Sequence, residues 1–238
     1  MNLRGKYMIL GVSFLVLVCH TASAQITTPK SANVRFDEMM RRGMLIGPDR
    51  YVDVKGNPFV DEEFQVGEII HMDSTTTQDV LMRLNHHTDE IEFKLDDKIL
   101  VFAKPRQIDH VTFGHRSFAY YDFIQNRQQE AGYFEVLAWG NTQLLLRRST
   151  IVKREEVPPT DMAGGNFRDY FRTTEQYFVK KGDASAVQIQ KGKKSMLKAL
   201  DDHEEELTKF IQDNKLKLRS EEEMIDLIYF YNSISQNE

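Results

Sequence analysis

Alternation of apolar and polar residues with a period of two is the feature that most limits the fold of this chain. It runs through residues 51–181 and is clearest in Glu90–Leu95, where Ile91, Phe93 and Leu95 share one face. Such a stretch predicts a strand with one buried face and one solvated face. The connections between successive strands are short, which favours antiparallel pairing over parallel βαβ units. An antiparallel β-rich domain over 51–181 is therefore predicted.

About nine short strands are expected within this domain. The turn at 86–89 and the pair Asp96–Asp97 separate three strands of a meander, and Gly140–Asn141 is a favoured two-residue turn for a second hairpin. That hairpin joins strands 133–139 and 142–151, and the other candidate strands are 64–72, 108–113, 118–124 and 176–181. The pattern is compatible with a sandwich, a barrel or a stacked meander. A surface loop is expected over 155–167, which contains paired prolines and paired glycines.

The C-terminal part changes to helical periodicity. Residues 182–192 are polar and predict a linker, and 193–238 predict a helical tail. Ser220 and Glu223 form a capping box that opens the last helix, and the short connection before it favours a helical hairpin. One apolar strip of the last helix is not covered by the seam of that hairpin, so we expect it to pack on the β domain. The strip consists of Leu227, Phe230 and Ile234. The fold class predicted for the whole chain is α+β.

A secretory signal peptide is predicted at residues 1–24. Two basic residues precede the apolar run Met8–Val18, and the small residues Ala22 and Ala24 suit a signal peptidase. The run is about half of the roughly 20 apolar residues that a membrane-spanning helix needs. We therefore expect cleavage after Ala24, a mature chain from Gln25, and export to the periplasm or cell envelope.

Composition limits the chemistry of that mature chain. Cys19 is the only cysteine, so cleavage would leave neither disulfides nor thiol chemistry. It would also leave 29 basic against 36 acidic residues, a net charge of −7. Nucleic acid and anionic membranes bind through basic patches and are poor partners for such a chain. No membrane-spanning stretch is expected after the signal peptide. Residues 25–50 are expected to form a polar lead that contains a short helix at 33–43.

Catalytic signatures are missing from the sequence. It has no phosphate-binding glycine loop, no dinucleotide fingerprint and no zinc-protease or serine-hydrolase motif. His86 and His87 with Asp89 are the best metal candidates, but a polar turn explains them more simply. The acidic runs 201–206 and 221–223 fit the first turns of helices. We therefore assign no catalytic, cofactor or metal residue, and expect a non-enzyme rather than an enzyme.

Aromatic residues supply the candidate interaction surface. Strands favour aromatics for packing, but exposed aromatics of an exported protein can also stack on sugar rings. Alternation can bury only one of Tyr120 and Tyr121 against a given sheet face. Together with Trp139 and the apolar strip of the last helix, these residues make up the predicted surface. Its members are Tyr120, Tyr121, Trp139, Leu227, Phe230 and Ile234.

Five segments carry a resemblance to a known group. They are Gly56–Phe64, Asp89–Phe93, Gly132–Leu137, Asn214–Leu216 and Tyr231–Ser233. In these segments the chain resembles uncharacterised exported proteins of Bacteroidota cell envelopes, to which no chemistry is assigned. The resemblance implies an envelope location and one structural unit, and it implies no active site.

The function expected from the sequence is a non-catalytic interaction or assembly module of the periplasm or cell envelope, with an envelope protein or a glycan as partner. One alternative is a hydrolase or sugar-processing enzyme with a dispersed carboxylate site, such as Glu92 and Glu135. Another is a small-ligand carrier in the mouth of a β-barrel. A pocket with two or more buried carboxylates or histidines would favour the enzyme, and a large apolar cavity would favour the carrier.

Overall fold

The computed structural model describes residues 44–45, 51, 53–59, 61–157 and 166–235. The predicted signal peptide with Cys19 and the cleavage site, and the helix at 33–43, lie outside the described residues. So does most of the loop predicted at 155–167. Across the described ranges, none of the helices combines the length and the apolar character that crossing a membrane requires.

Twelve strands in the described part of the chain form one mixed sheet, and three helices follow it. The prediction of a β-rich α+β fold with a helical C-terminus is confirmed. The strands are β1 (Met44–Leu45), β2 (Val54–Lys55), β3 (Gln65–His71), β4 (Thr76–Asn85), β5 (Glu90–Leu95), β6 (Lys98–Val101), β7 (Ile108–Phe113), β8 (Arg116–Gln125), β9 (Gln128–Ala138), β10 (Thr142–Val157), β11 (Asn166–Lys181) and β12 (Ala186–Ile189). The helices are α1 (Lys193–Ala199), α2 (Glu204–Asp213) and α3 (Glu221–Ser235). A short 3-10 turn, Pro105–Gln107, precedes β7.

The first half of the sheet contains the predicted three-strand meander, β4–β5–β6. Its strands lie side by side in the order β6, β5, β4, β3, β7, β8, all antiparallel. The alternation of β5 was misjudged at two positions: Leu95 was expected on the buried face and is 37% exposed, and Glu92 was expected on the solvated face and is only 2% exposed. Its carboxylate accepts hydrogen bonds from Arg83 at 2.9 Å and from Asn85 at 3.2 Å. Without these partners, burial of the Glu92 carboxylate would be unfavourable, because a charged group needs either solvent or hydrogen-bond partners.

The second half of the sheet closes into a ring of five strands. β8 pairs with β9 on one side and with β12 on the other, and the pairs β12–β11, β11–β10 and β10–β9 complete the circuit. Phe123, Phe134 and Phe178 fill the ring with edge-to-face contacts, their centroids 5.1 to 5.5 Å apart. A small barrel thus describes this half of the sheet. The β12–β8 and β2–β11 pairs are parallel, so the prediction of a purely antiparallel sheet was wrong for them.

Three strands depart from the predicted boundaries. β10 and β11 have 16 residues each and pair along their whole length, so both strands are longer than the predicted 142–151 and 176–181. β12 lies inside the stretch predicted as a linker, which needs correction at these four residues. Its residues Ala186 and Ile189 are buried because β12 fills the gap between β8 and β11.

Residues Leu144–Leu146 are buried on both faces of the sheet. Leu145 belongs to the core inside the ring, while Leu144 and Leu146 belong to the core between the ring and the helices. The helical tail therefore packs on the outer surface of the ring. In that core α3 contacts β9, β10 and α2.

The predicted capping box is present at the start of α3. The Glu223 amide donates to Ser220 Oγ at 3.3 Å, and the Ser220 amide donates to Glu223 Oε2 at 3.4 Å. In the acidic run before α2, Asp201 and Asp202 lie ahead of the helix and bind Lys181 at 2.6 and 3.3 Å, so their assignment to the first turn was wrong.

Candidate functional site

A cleft of about 440 Å³ lies at one end of the five-stranded ring. Gln143 and Lys180, which are paired across β10 and β11, line it close to the point where both strands run into loops. The loops after β9 and after β11 form its rim and are joined to each other, because the Gly182 amide donates to the Asn141 carbonyl at 2.7 Å. The cleft is therefore built by the closure of the ring.

The helical tail holds this rim in place. Asn232 of α3 is buried, accepts a hydrogen bond from the Thr142 amide at 2.9 Å and donates one to the Thr142 carbonyl at 2.8 Å. Gly140 lines the cleft next to this contact, and a Cβ atom there would overlap the Asn232 side chain. The tail thus braces the loop that borders the cleft.

Aromatic side chains form one wall of the cleft. Tyr120 and Tyr121 both line it and are both half-buried, each packing partly against a core cluster. The Lys180 ammonium lies 4.8 Å from the centroid of the Tyr121 ring. Burial raises the pKa of Tyr121, and a hydrogen bond with Gln143 offsets part of the rise. The hydroxyl of Tyr121 is therefore a neutral group at ordinary pH.

Trp139 stands beside the cleft. It precedes Gly140, and its ring packs on His110 with a centroid distance of 4.8 Å. His110 in turn hydrogen-bonds Asp109, which lines the cleft, at 2.7 Å. Although His110 packs against it, Trp139 remains 37% exposed. An aromatic surface next to the cleft is thus open to a ligand.

The charged groups of the cleft balance one another. Arg106 holds Asp122 by two hydrogen bonds of 3.0 and 2.5 Å, which lower the pKa of that carboxyl. Lys180 donates to the Gly182 carbonyl, and burial lowers its pKa while Asp183 partly offsets the effect. With Asp109, the lining contains two cations and three carboxylates. Neither sign dominates.

Gln143 contributes a polar atom without a protein partner. Its Oε1 atom is buried and accepts no hydrogen bond from the described residues. A buried acceptor left unpaired costs about 1 to 3 kcal/mol. Gln143 lines the cleft, so a ligand with a hydroxyl or amide donor could satisfy that atom.

The other end of the ring is occupied by the turn between β4 and β5. Asp89 accepts a hydrogen bond from Arg147 Nη1 at 3.1 Å, and the Tyr133 amide donates to the same carboxylate at 3.3 Å. We call this the Asp89–Arg147 pair. Burial raises the pKa of Asp89 and outweighs the nearby guanidinium. Gly132 permits the pair, since a Cβ atom there would overlap both side chains.

Of the two histidines in this turn, His86 is buried and His87 is exposed, so the prediction of a polar turn was wrong for His86 alone. His86 is 5% exposed, and its backbone bonds Pro58 and Thr150 at 2.9 Å each. The His87 ring makes edge contacts with Tyr51 and with Phe171 of β11. Both histidines serve the packing of the turn. Within the described residues, no three His, Cys, Asp or Glu side chains are grouped so that they could hold a metal ion.

The six residues of the predicted surface do not form one surface. Tyr120, Tyr121 and Trp139 lie in or beside the cleft. Leu227 is 0% exposed and belongs to the core between the ring and the helices, where the strip was expected to pack. Phe230 is partly buried against the same core and stacks on Phe210 of α2 with a centroid distance of 4.0 Å. The remaining residue of the strip, Ile234, is half-buried against the same core.

The two carboxylates suggested for acid and base roles are held by different arginines. Glu92 pairs with Arg83, and Glu135 pairs with Arg148. Neither lines the cleft. The cleft residues that sequence reasoning missed are Arg106, Asp122, Gln143 and Lys180. They come from four separate elements, and only ring closure brings them together, so no local motif signals them.

Comparison with protein-family models, with curated proteins and with solved structures gives no match.

Proposed function

We propose that this chain is a non-catalytic binding module of the periplasm or cell envelope, which holds its ligand in the cleft at the end of the five-stranded ring. The helical tail braces the rim and is not itself the binding surface. The observation that supports this most is the chemical character of the cleft: polar, partly aromatic and balanced in charge.

The alternatives receive less support from the same cleft. An enzyme with acid and base carboxylates needs at least one of them in an environment that shifts its pKa toward neutrality. The Asp122 carboxyl instead has a lowered pKa and is bound to Arg106. A carrier of apolar molecules needs an apolar cavity, whereas Arg106, Asp122 and Lys180 line this one.

Site-specific photocrosslinking in the cells that produce the protein tests the proposal. A benzophenone amino acid is placed either at position 183, an exposed residue of the cleft rim, or at position 229, where Tyr229 is 49% exposed on α3. We expect a defined mass adduct on the protein from position 183 and none from position 229. Equal labelling from both positions, or an adduct from 229 alone, would contradict the proposal.

A further inference from the structure

We infer that the ligand of this cleft is a neutral saccharide, held by its hydroxyl groups in the cleft and by one sugar face on Trp139. This inference rests on the proposed function and names its ligand class. Three properties of the cleft lead to it, namely its charge balance, its hydrogen-bonding groups and its aromatic rim.

The charge balance argues against an anionic ligand. A phosphate or a polyanion would meet three carboxylates, Asp109, Asp122 and Asp183, beside two cations. Arg106 is already bound to one of those carboxylates, and the Lys180 ammonium already donates to a backbone carbonyl. The lining residues hold no surplus positive charge, so nothing among them would compensate the cost of removing an anion from water.

The hydrogen-bonding groups match neighbouring hydroxyls. The Arg106–Asp122 pair uses two of the five N–H donors of the guanidinium, so donors and carboxylate lone pairs remain side by side. Each sugar hydroxyl both donates and accepts, and two adjacent hydroxyls can meet such a pair together. Deeper in the cleft, the unpaired Oε1 atom of Gln143 offers an acceptor for another hydroxyl.

The aromatic rim supplies the apolar half of the interaction. A sugar ring has an apolar face of C–H groups, and a tryptophan that is partly open to solvent can cover it. Trp139 is 37% exposed and immediately precedes Gly140, which lines the cleft. Tyr120 and Tyr121 line the cleft itself. The cleft volume falls within the range of about 300 to 1,000 Å³ that is usual for small-molecule sites. A protein partner would instead need about 800 Å² of surface on each side.

Trp139 also makes the inference testable, because it is the only tryptophan of the chain. Tryptophan fluorescence of the purified protein therefore reports on this rim alone. The protein is titrated with maltotriose, cellotriose and triacetylchitotriose, and separately with inorganic phosphate. We expect a saturable change in emission with at least one trisaccharide and none with phosphate.

Variants locate the binding. Tyr121→Leu removes one aromatic contact and Asp122→Ala removes one paired polar contact. Each should weaken the affinity for the trisaccharide by about tenfold. Asp122 lies at the surface, so its variant leaves the core intact, and circular dichroism verifies the folding of both. Tyr229→Leu, an exposed aromatic outside the cleft, is the matched control and should leave the affinity unchanged.

The inference is overturned if no trisaccharide changes the emission, if phosphate does so instead, or if both cleft variants bind as well as the control. Crosslinking from position 183 separates this failure from failure of the proposed function. An adduct at 183 without saccharide binding leaves the cleft as a binding site with a different ligand. Loss of both signals means that the cleft binds nothing.

Discussion

Acidification should destabilise this protein through His86, one buried histidine in the turn between β4 and β5. Burial, and then the guanidinium of Arg148, lower its pKa from 6.5 to about 4. A hydrogen bond to the Arg148 backbone offsets only part of this. Arg148 cannot move away easily, because it is bound by Glu135 and Glu175.

The direction of the effect follows from proton binding. The unfolded chain takes up a proton at His86 near pH 6.5, whereas the folded chain resists it until about pH 4. The contribution of the neutral histidine to stability is therefore complete above pH 6.5 and is lost as the pH falls toward 4. At about 1.36 kcal/mol for each pH unit, the total loss is about 3 kcal/mol. That is a large part of the stability of about 5 to 15 kcal/mol that is usual for a domain.

Urea unfolding at pH values from 7.5 to 4, followed by circular dichroism, measures this loss. Carboxylates also titrate in this range, so the informative quantity is the difference in unfolding free energy between the protein and His86→Gln. We expect that difference to shrink by about 3 kcal/mol between pH 6.5 and 4. His115→Asn, a histidine substitution at an exposed position, is the control variant measured in parallel. A difference between the protein and His86→Gln that stays constant across this range would refute the argument.

Three further outcomes are expected. Gly132→Ala should lower the unfolding free energy by about 1 to 3 kcal/mol, because its Cβ would displace the Asp89–Arg147 pair; unchanged thermal unfolding would contradict this. Leu227→Ala should lower the unfolding free energy by about 2 to 5 kcal/mol, and Phe230→Ala should lower it by less, because only Leu227 is fully buried while Phe230 is half-exposed and stacks on Phe210. The reverse order in urea unfolding would show that the stacked pair matters more than burial. N-terminal sequencing of protein from the cell envelope should begin at Gln25, and a start at the initiating methionine would remove the argument for export.

Local chemistry accounts for what the sequence predicted correctly. The strand β5, the turn at 86–89 and the capping box of Ser220 with Glu223 each depend on residues within a few positions of one another. Period-two alternation selects a strand because one face must be buried, and a capping box selects a helix start because it satisfies free backbone N–H groups. These signals determined the strand-rich domain and its helical end from the sequence alone.

Tertiary structure decided the closure of the ring, and with it the cleft. β12 is four residues long and lies beside β8, more than 60 positions earlier in the chain, so no local pattern announces the pair. The burial of Glu92 and His86 also depends on residues from other parts of the fold. Partners such as Arg83 and Arg148 decide whether a polar side chain can be buried. The sequence alone determined most of the strands and the helical tail. Which side chains meet at the end of the ring was decided by long-range pairing, since backbone hydrogen bonds between strands do not depend on the identity of the side chains.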